Sequence, residues 1–229
     1  MAEVKAPGCA SCSIPVASRA CYTESGKGPD NCPTKQFTGL TEETRQEYKI
    51  PHVREFARLA SLQEAECYMN RDQQPYFLQA GKTRFREICE FAEKIGTKKI
   101  GLAFCIGLAQ EARMVDSLLR RQGFEVVSVV CKVGRMLKEE IGIQDDEKIF
   151  IGTDETACNP ILQAKVLNNA STGLNVLLGL CVGHDSLFFK YADAYNTVLA
   201  VKDRVTGHNP MAAIYTSSSY YSFMHRPGF

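Results

Sequence analysis

Ten cysteines and four histidines occur in a chain of 229 residues, and two sets of them have spacings that could do chemistry. The first set is Cys9, Cys12, Cys21 and Cys32, in the pattern C-x2-C-x8-C-x10-C. It lies in a stretch rich in Pro, Gly, Ser and Lys with little apolar material to build a core. Four thiolates sharing a tetrahedral ion would supply the folding free energy that burial cannot, and the two-residue gap lets two sulfurs of one turn face the same centre. Pro33 directly after Cys32 is also seen beside cluster-ligating cysteines, so zinc and a [4Fe-4S] cluster both fit this pattern. The plainer reading is four unconnected thiols on a tail, which exposed thiol reactivity disfavours.

The second set sits at the ends of apolar runs. IGLAFC ends on Cys105, VVSVVC on Cys131 and NVLLGLC on Cys181. Uninterrupted apolar runs of this length, closed by glycine or polar residues, are expected of strands covered on both faces. If the strands are parallel, all three cysteines lie at one carboxyl edge, where open α/β sheets bind ligands. Two short motifs repeat a related design, Cys158-Asn159-Pro160 and His208-Asn209-Pro210. Each sets a metal-ligand residue before an Asn cap and a Pro that opens a helix. Gly183-His184-Asp185 has a similar layout, with Asp185 as the expected cap. A cysteine at such a place faces the positive end of a helix dipole, which favours the thiolate. Cys105, Cys131, Cys158, Cys181, His184 and His208 are therefore the candidates for a second metal or iron-sulfur site. Each of them also has a plain reading, as a buried strand thiol or a hydrogen-bonded turn residue.

The elements that must position these groups follow from the pattern. Thr41 is expected to cap a helix over TEETRQEY, and Pro51 separates it from a second helix, residues 52–70. A third helix, FREICEFAEKI, carries Cys89, which like Cys67 is read as a small core residue. From Lys98 onward strands and helices alternate: IGLAFC, a helix ending near Gly123, FEVVSVVC, a shorter helix over GRMLKEEIG, a solvated loop at QDDEKIF, CNPILQAKVLNN, LNVLLGLC, HDSLFFKYADA and TVLAVKD. DRVTGHNPMAAIY closes with another capped helix, and SSSYYSFMHRPGF is expected to be a surface strap. Alternation at this spacing predicts an α/β fold: a parallel, flavodoxin-like or related doubly wound sheet of four or five strands flanked by helices. The expected division is a four-cysteine metal-binding segment, residues 1–40, and a helical lead-in plus α/β domain, residues 41–229.

Composition narrows the partners. Net charge is +1, from 27 basic and 26 acidic residues, so neither nucleic acid nor an anionic membrane is expected. No apolar run reaches the length of a membrane span, the N-terminal residues lack a secretory apolar core, and a cytoplasmic location follows as the expectation. In that reducing compartment ten cysteines point to metal or thiol chemistry rather than disulfides. The chain has no G-x-G-x-x-G after its first strand, no G-x-x-x-x-G-K-[ST] and no G-x-S-x-G, so nucleotide cradles and a serine nucleophile elbow are absent. Lys202, Asp203 and Arg204 form a charged run after a buried strand; it reads as a solvated strand end, or as charges at a cleft that hold an anionic group.

The four N-terminal cysteines, CNPILQA, LGLCVGHDSLF and VKDRVTGHNP together resemble an uncharacterised family, domain of unknown function 1847, whose members are suspected of binding metal. The resemblance runs over nearly the whole chain. It implies zinc at the positions matched by Cys9, Cys12, Cys21 and Cys32 and attaches no activity to the rest. Three functions are consistent with the residues. The first is a metalloprotein with a second thiolate site used for redox or sulfur-transfer chemistry. The second is a non-enzymatic metal carrier or sensor, which passes its ion to a partner. The third is a cysteine-nucleophile enzyme with His184 or His208 as base.

Overall fold

The computed structural model describes residues 5–228. It divides into two compact units, Met1–Leu62 and Gln63–Phe229. The described residues form eight α-helices: α1 Pro33–Gln36, α2 Thr38–Glu47, α3 Pro51–Cys67, α4 Arg84–Lys94, α5 Ala109–Arg121, α6 Pro160–Asn169, α7 His184–Tyr191 and α8 Met211–Tyr215. The strands are β1 Lys99–Phe104, β2 Glu125–Val130, β3 Leu174–Leu178 and β4 Tyr195–Ala200. No helix among the described residues is long and apolar enough to cross a membrane.

In the first unit none of the described residues is buried. Its order comes from turns and polar ties. The Arg19 guanidinium donates to the carbonyls of Ile14 (2.7 Å) and Cys12 (3.1 Å), and Arg19 and Lys27 form a parallel bridge. Cys32 is the residue before α1, with Pro33 opening that helix. Thr41 lies inside α2 and donates its hydroxyl to the Phe37 carbonyl, so the helix begins before the cap expected at Thr41.

The second unit is built on a four-stranded, all-parallel sheet in the order β2-β1-β3-β4, the flavodoxin-like order of its first four strands. All five residues of β3 are buried, and Ile100, Leu102 and Ala103 of β1 are fully buried. The apolar runs arise because central strands have helices on both faces. Helix α5 packs on β1 and β2; α6 packs on the same two strands and on α7. The direction in which strands are added to the sheet reverses between β1 and β3, so right-handed crossovers put α5 on one face and α6 with α7 on the other. The carboxyl edge at such a switch is where open α/β sheets bind ligands. Gly101 of β1 faces Asn175 of β3 in register, and a Cβ there would stand 2.2 Å from the Asn175 Oδ1. The close approach requires glycine.

Several expected local features differ. GRMLKEEIG forms only a single 3-10 turn, Lys138–Ile141. The loop after it is not wholly solvated: Lys148 is buried and is held by Glu139 and Asp145. Only five residues, Met211–Tyr215, form α8, and Asn209 makes no cap bond there. Cys89 is buried, and its burial pushes the thiol up to about 11.

Candidate thiol site

Strand register brings the first two sulfurs together. Phe104 pairs with Val130 in the β1–β2 ladder, and the ladder runs one step further, with the Cys131 N–H donating to the Phe104 carbonyl at 2.9 Å. Cys105 and Cys131 are therefore neighbours at the carboxyl ends of adjacent strands. The third sulfur arrives on the return chain, because the Asn159 N–H donates to the Cys131 carbonyl at 2.7 Å and fixes Cys158 beside Cys131. Asn159 then caps α6, accepting from the Leu162 N–H at 2.9 Å, as its position before Pro160 requires. His184 is the first residue of α7. The helix entry there is made by Gly183, at φ 84°, without a side-chain cap. Asp185 instead accepts from the Ser186 N–H, so the expected Asp185 cap is absent.

The result is an array of neighbouring side chains, Cys105, Cys131, Cys158 and His184, that perturb one another's proton affinity. Cys131 is 2% exposed and stands between the other two thiols; hydrogen bonding to Cys105 and Cys158 together with burial pushes its own pKa up strongly. Cys105 is held well below the ordinary thiol value by the bond from Cys131, with help from the Gly107 N–H and the Lys202 ammonium. Cys158 is lowered by Cys131, then by His184, with Lys132 adding charge. The His184 imidazole is raised by Cys158, against the cost of burial. These shifts favour holding the proton on Cys131 and negative charge on the outer two sulfurs, with His184 favoured in its charged form beside Cys158. The Ile106 N–H also donates to the Cys131 sulfur at 3.3 Å.

The remaining two edge candidates lie differently. Cys181 accepts from the Arg204 guanidinium at 3.3 Å. His208 belongs to the turn that follows β4: its Nδ1 accepts from the Asp203 N–H at 3.1 Å, and its own N–H donates to the Asp203 carbonyl. Three contributors were missed by the sequence reading. Lys132 is the residue after Cys131, and its ammonium donates to the Thr156 carbonyl. Gln163 of α6 is fully buried, and its Nε2 bridges the Phe104 (3.2 Å) and Val129 (2.7 Å) carbonyls at the strand ends that carry Cys105 and Cys131. The Gly107 N–H follows from the 3-10 turn Ile106–Leu108. A polar Gln in the apolar stripe of α6 was the one available hint.

In the first unit Cys9, Cys12, Cys21 and Cys32 all line one cavity of about 50 Å³. Gly28 closes its wall, and a Cβ there would stand 2.7 Å from the Cys32 sulfur. All ten cysteines are free thiols. Among the described residues no group of three or more His, Cys, Asp or Glu side chains is arranged to hold a metal ion. The edge thiols form a chain rather than a cage, and the four N-terminal thiols share a cavity without closing on one point.

Comparison with known proteins gives kinship without an activity. The uncharacterized protein MJ0455 of Methanocaldococcus jannaschii is 43% identical over 182 residues, covering 80% of this chain and 86% of that protein. No solved structure matches. The model of the protein family of unknown function DUF1847 matches residues 32–199, a range that includes Cys105, Cys131, Cys158, Cys181 and His184. The chain belongs to the DUF1847 family.

Proposed function

We propose that this is a cysteine-dependent protein of the cytoplasm whose chemistry is carried by the Cys105–Cys131–Cys158–His184 array. The observation that carries the proposal is the placement of Cys158 beside Cys131, fixed by the Asn159 bond to the Cys131 carbonyl, with His184 at the start of α7 close enough to lower the Cys158 thiol. Nucleophile and base in contact, oriented by a third group, is the arrangement of an activated cysteine. In the reaction the Cys158 sulfur forms the new bond, the leaving group departs with its electron pair, and the His184 ring returns a proton to it. With a low-molecular-weight disulfide as acceptor, that attack releases one thiol. The mixed disulfide left on Cys158 is reversed when a thiolate from solution attacks its outer sulfur, which regenerates the Cys158 thiolate and carries that sulfur away in a new disulfide. Ten free thiols suit a reducing compartment.

Mapping the sites of iodoacetamide modification at pH 6.5 tests this reading. Cys158 should be labelled first, and Cys158→Ser should remove the fast phase. Equal, slow labelling of all ten cysteines would overturn it.

A metal centre at the N-terminal cysteines is proposed alongside, on a separate observation. A unit with no buried residue among those described has four thiols around one cavity, and sulfur donors of this number suit zinc or an iron-sulfur cluster. Bound there, such a centre would supply order to residues 5–62, or, if exchangeable, would make the unit a carrier or sensor. Metal and acid-labile sulfide analysis on anaerobically purified protein tests it. One equivalent of zinc, or iron with sulfide, lost in a Cys12→Ser, Cys32→Ser variant, supports the centre; no metal under any loading condition removes it. Loss of metal in Cys105→Ala or Cys158→Ala would instead assign metal to the sheet edge.

A further inference from the structure

Partly buried lysines elsewhere in the second unit are matched by carboxylates. Lys82 meets Glu90 and Glu66, Lys94 meets Glu66, Lys138 meets Glu155, and Lys148 meets Glu139 and Asp145. At the carboxyl edge the pattern stops. Lys202 is half-buried beside Cys105, its ammonium 3.5 Å and the Cys105 sulfur 3.9 Å from the same point above Gly107. Lys132 has a carbonyl partner, Thr156, and Arg204 has a sulfur partner, Cys181. Among the described residues none of the three has a carboxylate partner. The nearest acid in sequence, Asp203, is occupied by the Val205 and Thr206 N–H groups of its own turn.

Resting on the thiol chemistry above, we infer that the substrate of this site is a small anion, an electrophile or disulfide bearing a carboxylate or comparable oxyanion, held by Lys202 and Lys132 beside the thiols. Cations without carboxylates at a sheet-end crevice attract and orient negative charge. Two lysines without carboxylate partners stand beside these thiols, so an arriving anion meets their positive charge. The two lysines stand on different segments, Lys132 after β2 and Lys202 after β4.

Two alkylating reagents of the same shape read this directly. Iodoacetate and iodoacetamide both form an S–C bond and expel iodide with the C–I electron pair, and they differ only in charge. Their rate ratio at one thiol cancels the fraction of thiolate present. For a small free thiol such as N-acetylcysteine the neutral reagent is favoured. At Cys158, or at Cys105 if that is the residue modified, the iodoacetate-to-iodoacetamide ratio should exceed the free-thiol ratio by about tenfold. Lys202→Gln and Lys132→Gln should each lower it by roughly three- to fourfold, the Coulomb effect of one charge about 10 Å away at an effective dielectric near 40. Fast labelling with a ratio equal to that of the free thiol, unmoved by either variant, overturns the anion inference and leaves the thiol chemistry standing. Slow, unselective labelling by both reagents overturns the thiol chemistry itself.

Discussion

Cys158 and His184 exchange stability for reactivity through a single proton. The thiol is lowered and the imidazole raised by their mutual hydrogen bond, so the reactive thiolate is present above the depressed Cys158 pKa and is lost as pH falls through it. An ordinary thiol is only about 1% thiolate at pH 6.5. Cys158 alkylation should therefore stay near its plateau rate at that pH. His184→Asn removes the bond and the charge, and should move the pH-rate curve upward by about 1–2 units, measured as iodoacetamide rate against pH. Gln163 acts on the same site at a distance: its amide holds the carbonyls of Phe104 and Val129. Gln163→Leu, similar in volume, should leave those carbonyls one donor short and cost about 1–3 kcal/mol in denaturant unfolding.

At the scale of the elements, helix α4 is tied to the end of α3 by charge as well as packing. Glu90 is the focus. Partial burial works against its ionisation, but hydrogen bonds from Lys82, Gln63 and Arg86 outweigh that and bring it down to about 2. A carboxylate with a depressed folded pKa contributes stability that is full above its unfolded value and is lost as pH falls toward the folded one. Glu90→Gln should cost about 1–2 kcal/mol at pH 7 after allowance for solvent screening, and the difference from the parent should vanish between pH 4.5 and 2. Packing sets the limit at Gly101, where Gly101→Ala would force a Cβ against Asn175; a loss of about 2 kcal/mol or more is expected in thermal or denaturant unfolding. The strands were legible in sequence because apolar runs ending on cysteine are what buried parallel strands look like. Cap details were less so. Asn159 caps because Pro160 fixes the first turn after it, whereas Asn209 and Asp185 carry the same chemistry into turns that spend their hydrogen bonds elsewhere.

The whole molecule joins a unit with a conventional core to one without a buried residue among those described. If a metal orders the first unit, chelation should raise proteolysis within residues 5–62 before the sheet unit melts, read by mass mapping of early cleavage products. The four-cysteine spacing was legible because it is local. Convergence of the edge thiols was legible only as a shared edge, since strand order and the Asn159 bond to Cys131 depend on the fold. Sequence pattern could not separate His184, which meets Cys158, from His208, which turns back on Asp203. One hydrogen at the centre of the array has a further consequence. The Cys131 S–H can point to Cys105 or to Cys158 at any instant, never to both, so the two outer sulfurs compete for one donor. Consuming Cys158 releases that donor to Cys105, whose sulfur becomes more acidic and, by the same step, a weaker nucleophile. The molecule should thus react once per chain and then resist: two chemically similar sulfurs, a single fast equivalent.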